Sequence, residues 1–262
     1  MPALLQIFLN IILSPGQAFT HLIEKASWKD WLYPLLIFTV IIISLPFTYR
    51  DIRLNEAEDQ LYAQIDKIEA RTDISDEQMA AISARMEKAL DQVDNSRDNP
   101  FALETSWGYF LVPVMLLISA SLFALILMMI GNFGLGGKLK FTQLLSLVIL
   151  SYIIAGDGSL LGMREGVGII ELFVKLPLIL AKEGTDVSLG IGLLMDKSDS
   201  FLYYFLMKLD VLRMWSIAIV GIGFAQLYKK TPVSGIMAVG ISWLILMAIG
   251  AGITTLITGM TG

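Results

Sequence analysis

Asp157 is the residue best placed to do chemistry here: a carboxylate set between Gly156 and Gly158 at the end of an apolar run. Within a bilayer an unpaired charge is costly and marks a functional position by default. Such a carboxylate could bind a cation, carry a proton, or pair with Arg213, which stands beside Asp210 at the start of a later apolar run. Two placements stay open. Either the run continues to Met163 and holds Asp157 in the outer third of the bilayer, or it stops at Ala155 and Gly-Asp-Gly is a solvated turn. Asp157 and Asp210 also invite comparison with an intramembrane aspartyl protease, but Ile154 stands where the first glycine of a GxGD signature belongs. Ser159 has no histidine or lysine in evidence to activate it.

Other polar exceptions carry less. His21 is the sole histidine and cysteine is absent, so no zinc centre with three or four protein ligands can be assembled. The run NFGLGGKL at 132–139 imitates a phosphate-binding loop, yet Asn132 replaces its first glycine and Leu139 its magnesium-binding hydroxyl. A flexible turn is the expected reading. Glu171 and Lys175, four apart, can pair on one helix face. Each costs about 2.5–3.5 kcal/mol at mid-bilayer on insertion scales, which disfavours a full span around them. No catalytic set, metal site or cofactor site emerges, and a net charge of −5 speaks against nucleic acid.

The elements that would position these residues are dictated by hydropathy. With 55% hydrophobic and 16% charged residues, no soluble fold of 262 residues could bury the apolar surface. A hydrocarbon core of about 30 Å needs ~20 apolar residues in a helix. Spans are expected at 32–49, 109–131, 141–163, 210–228 and 233–257. Residues 1–31 hold a short N-terminal helix lying in the interface or tucked against the bundle. It lacks a signal peptide's positive start and cleavage site, and is expected to be retained. Segment 164–209, with the patch at 167–181, is read as extracytoplasmic and interfacial or re-entrant.

Residues 50–106 carry 14 acidic and 7 basic side chains, a net −7 against +2 elsewhere, and form an extramembrane insert. Leu54, Leu61, Ile65 and Ile68 fall on one helical face, and Met79, Ile82, Met86, Leu90 and Val93 on another. Ser75 followed by Gln78 is a capping-box start for the second helix. The pair is an acidic helical hairpin whose apolar faces need a partner: each other, the membrane surface, a protein, or a second copy through 54–93. Small residues at Gly221 with Ala225, Ser234 with Ala238, and Ala120 with Ala124 permit close helix packing.

Five crossings place Lys25 and Lys29, Lys138 and Lys140, and Lys229 and Lys230 on one side, which the positive-inside rule makes cytoplasmic. The N-terminus is then cytoplasmic, and the hairpin and C-terminus are extracytoplasmic. Arg50 and Arg53 fall on the outer side against the rule. A sixth span at 167–181 would strand Lys229 and Lys230 on the wrong face.

Three stretches, SPGQAFTHLIEKASWKDWLYPLL at 14–36, GGKLKFTQLLSLVILSY at 136–152 and FLYYFLMKLDVLRMWSIAIVGIGFAQLYKKTPVSG at 201–235, resemble the YIP-type domain family, the Ypt/Rab-interacting multi-span membrane proteins, and most of all its bacterial-type members. The chain departs from the family in its acidic insert and in Gly156-Asp157-Gly158 within span three. The resemblance implies a multi-helix membrane fold. Eukaryotic relatives are associated with Rab-type GTPases and vesicle trafficking, while bacterial ones have no settled role. The expectation is therefore an all-α polytopic protein of a bacterial inner membrane, non-enzymatic, serving interaction or membrane organisation. The alternative is a small transporter or channel component that uses Asp157.

Overall fold

The computed structural model describes residues 2–69, 75–99, 103–154, 168–185, 187, 189–196 and 200–261. These are helical, apart from short turns and an isolated antiparallel bridge between Gly190 and Asp210. Twelve α-helices follow in order: α1 (Pro2–Leu13), α2 (Pro15–Ala18), α3 (Thr20–Lys25), α4 (Lys29–Ser44), α5 (Arg50–Glu69), α6 (Asp76–Asp98), α7 (Leu103–Met129), α8 (Phe141–Ser151), α9 (Ile169–Lys182), α10 (Phe201–Met207), α11 (Val211–Leu227) and α12 (Pro232–Thr261). Among the described residues, three helical stretches are long and apolar enough to cross a membrane: one within Lys29–Glu69, then Pro113–Gly134 and Pro232–Leu256. Phe141–Ser151 and Val211–Leu227 are shorter apolar helices. Such a composition fits a helical membrane protein.

The chain divides into two compact units. One comprises Met1–Ile42, Pro113–Lys175 and Ser188–Gly262; the other, Ile43–Val112 and Leu176–Val187. In the first, α11 and α12 form a tight pair around Gly221, where a side chain would meet the backbone of Ile236 at 2.5 Å. Small residues are required for so close an approach. Their turn closes with the Lys230 amide donating to the Ala225 carbonyl at 2.8 Å and Lys229 in the left-handed region. Phe19, Phe38, Phe224, Leu144, Leu147 and Ile149 are fully buried. Ring stacking of Phe8 on Phe38 at 5.9 Å holds α1 against α4, with Ile11 fully buried. Outward surfaces are apolar: Val114, Ile118, Leu122 and Leu125 line one side of α7, and Met237, Ile241, Ile245 and Ile249 one side of α12. Contiguous apolar surface of this kind suits lipid better than water.

The sequence leaves two placements open for span three, one running to Met163 and one stopping at Ala155. Its helix ends at Ser151 and turns through 152–154; Asp157 and Ser159 lie outside the described residues. At the start of α9 the amides of Ile169, Ile170 and Glu171 donate to the carbonyls of Tyr152, Ile153 and Ile154 at 3.2, 2.9 and 3.0 Å. Leaving out 155–167 makes each of these an amide bonding four residues back, the α-helical register. Helix α9 thus takes up the hydrogen-bond ladder where α8 drops it. Sequence periodicity sees two separate apolar patches because the intervening residues interrupt the pattern.

Helix α5, in the second unit, follows α4 through a 3-10 segment at Leu45–Tyr49. Ser75 and Gln78 make reciprocal side-chain bonds to each other's amides at 3.3 and 3.2 Å, a complete capping box for α6. Arg50 donates to the last carbonyls of α6, Ser96 and Arg97, and Arg97 reaches back to Glu58 and Asn55, both at 2.9 Å.

Candidate functional site

A buried charge cluster lies where α9 meets α11. Glu171 stands in the first turn of α9. Its carboxylate is wholly buried. Lys175, one turn on, donates to Glu171 Oε1 at 2.7 Å, and Arg213 of α11 approaches the same oxygen at 3.8 Å. Asp210 caps α11: its Oδ1 accepts from the amides of Leu212 and Arg213 at 2.7 and 3.4 Å. Asp210 is 3% exposed and Lys175 8%, while Arg213 is partly buried, so two acids balance two bases in formal charge. Burial of each ion costs several kcal/mol, which only close pairing offsets. Pairing is incomplete: Glu171 Oε2 and Arg213 Nε are buried without a hydrogen-bond partner among the described residues.

Beside Arg213 lies a cavity of about 20 Å³ lined in part by Ser119, Ser151, Ser216 and Trp243. That volume accommodates about one water. The Ser151 hydroxyl donates to the Val148 carbonyl at 2.6 Å and that of Ser216 to the Ser151 carbonyl at 3.3 Å. The polar lining is therefore tied back to helix carbonyls.

A second polar group closes the other end of the same unit. Asn132 holds Leu139 at both backbone groups, each at 3.0 Å, and accepts from the Tyr228 hydroxyl at 2.9 Å. Gly131 and Gly137 flank the Tyr228 ring so tightly that a side chain on either would stand 2.0 or 2.2 Å from it. The stretch that imitates a phosphate-binding loop is a latched turn rather than a flexible one. Gln143 donates to the Leu22 carbonyl at 2.9 Å, and Gln226 donates to that of Gly16. The segment 16–22, the 131–140 turn and the end of α11 therefore gather at one end, where Lys138, Lys140, Lys229 and Lys230 are exposed.

In the second unit the helical pair α5 and α6 leaves a groove of about 350 Å³, lined by Leu54, Ala57, Leu61, Ala89 and Val93 with Gln60, Gln64, Gln92 and Ser96. The apolar positions of both helices are only half-buried. Glu56 accepts from the amide of Thr185 at 2.6 Å and from its hydroxyl.

Of the residues picked out by sequence, Arg213 and Asp210 fall in the charge cluster, but Arg213 meets Glu171; Asp157 lies outside the described residues. Gly221 and Ala225 face α12 at Gly235 and Ile236, next to Ser234. Ala120 and Ala124 are fully buried. The side chain of His21 lies outside the described residues. Sequence reasoning saw Glu171 and Lys175 as a pair but missed the third charge, because nothing local in Arg213 points to a partner on another helix. No protein-family model, curated protein or solved structure matches this chain.

Proposed function

We propose that the chain is a five-crossing, non-enzymatic membrane protein of YIP-like type that works by interaction, its acidic hairpin receiving a basic, amphipathic helical segment of a partner protein. The groove between α5 and α6 carries this reading. Its floor is apolar and only half covered, and it belongs to an insert of net charge −7. An amphipathic helix laid into such a groove buries its apolar face while its basic face meets the acidic flanks. The exposed lysines gathered at one end of the first unit support a cytoplasmic assignment of that end. The hairpin and the C-terminus are then extracytoplasmic, in a bacterial inner membrane.

The test uses the full-length protein in nanodiscs and a fluorescent Lys-rich amphipathic helical peptide. Binding is expected to fall at least tenfold in the double variant Leu61→Glu, Val93→Glu. A scrambled peptide of equal charge is expected to bind at least tenfold more weakly. Equal binding of the scrambled peptide would reduce the hairpin to a charged surface, and no binding of either would remove the reading.

The buried cluster Glu171, Lys175 and Arg213 favours a second reading, a small transporter or channel component in which Glu171 or Asp157 couples to an ion. Isotope flux into liposomes that disappears in Glu171→Gln or Asp157→Asn would put this reading first.

A further inference from the structure

We propose that α8 and α9 together make one crossing of the bilayer, with acyl chains covering the outer side of α9; this rests on the membrane reading above. Three observations carry it. First, the three amides that open α9 are taken up in helical register by the carbonyls of Tyr152, Ile153 and Ile154 in the turn that follows α8. Free helix ends cannot be left in hydrocarbon, and here the two ends satisfy each other, so the junction can lie at depth.

Second, the joined length suffices. Residues 141–154 and 168–175, all within the first unit, amount to about 22 residues and roughly 33 Å of rise, against a hydrocarbon core of about 30 Å. Helix α8 alone, at 11 residues, is too short to cross.

Third, α9 is amphipathic inside out. Its exposed side chains from 173 to 181 are all apolar: Phe173, Val174, Pro177, Leu178, Leu180 and Ala181. Glu171 and Lys175, its charged side chains before Lys182, are buried. A helix lying in the interface shows the opposite arrangement, with a charged face toward water. The insertion cost that argued against a span at 167–181 is met by pairing these charges with each other and with Arg213. Since α9 continues span three and adds no sixth crossing, the lysine clusters keep their common side.

The chain has no cysteine, so single cysteines can be placed freely. In sealed proteoliposomes, Lys140→Cys and Lys182→Cys are expected to react with an impermeant maleimide from opposite faces. Spin labels at Phe173, Leu178 and Lys182 are expected to rise in steps toward the headgroups, with Phe173 about 13 Å and Leu178 about 6 Å deeper than Lys182 at 1.5 Å per residue. A label at Ile245 of α12 serves as the reference for lipid contact. Labelling of both cysteines from one face, or equal depths along α9 while Ile245 reports lipid, would overturn the composite crossing alone. Water contact at Ile245 as well would overturn the membrane reading beneath it.

Discussion

Glu171 is the pivot of the first unit at the scale of single residues, since it is fully buried and shared by two cations. Removing one member of a buried ion pair strands the others and costs about 3–5 kcal/mol, whereas replacing all members with apolar groups of similar size is often neutral or stabilising. Glu171→Gln is therefore expected to lower unfolding stability in detergent by about 3–5 kcal/mol. The triple variant Glu171→Leu, Lys175→Met, Arg213→Met is expected to recover most of that loss. A triple variant as unstable as the single one would show that the cluster's charge is itself structural. Tyr228→Phe removes the hydroxyl that reaches Asn132 and is expected to cost about 0.5–1.5 kcal/mol in the same assay. The i, i+4 spacing of Glu171 and Lys175 was legible in the sequence. Their inward direction was not, because spacing fixes which residues share a face and says nothing of which way that face turns. Asn132 was legible as a broken motif, while its hold on Leu139 and Tyr228 depends on α11 arriving at the same place.

Among the elements, helix starts were the most readable feature. Ser75 and Gln78 announce α6, and the structure has both reciprocal bonds. Ser75→Ala is expected to destabilise the hairpin by about 0.5–2 kcal/mol, read by hydrogen exchange at the first amides of α6. Gly221 was legible as a small residue but not as the contact point with Ile236, which is set by the tight turn after α11. Adding a methyl group there forces the helices apart, so Gly221→Ala is expected to cost about 1–3 kcal/mol by overpacking, measured as lost unfolding stability in detergent. The ladder from α8 into α9 could not be read at all. Hydropathy windows weigh contiguous residues, and two half-helices separated in sequence register as two short patches.

For the molecule as a whole, composition alone established a helical, apolar chain, and the structure adds outward faces of α7 and α12 fit for lipid. Charge asymmetry singled out the acidic insert, and the second unit holds Ile43–Val112 together with Leu176–Val187. How many times the chain crosses decides every assignment of sides. The five crossings we propose would leave the hairpin and the C-terminus on one face and the exposed lysines at 138, 140, 229 and 230 on the other. The most direct measurement is accessibility of two epitope tags in intact spheroplasts, one inserted just ahead of Ser75 and one after Gly262. Both are expected to be reached from outside without permeabilisation; a C-terminal tag reached only after the membrane is opened, with the Ser75 tag still external, would mean an even number of crossings and contradict the topology.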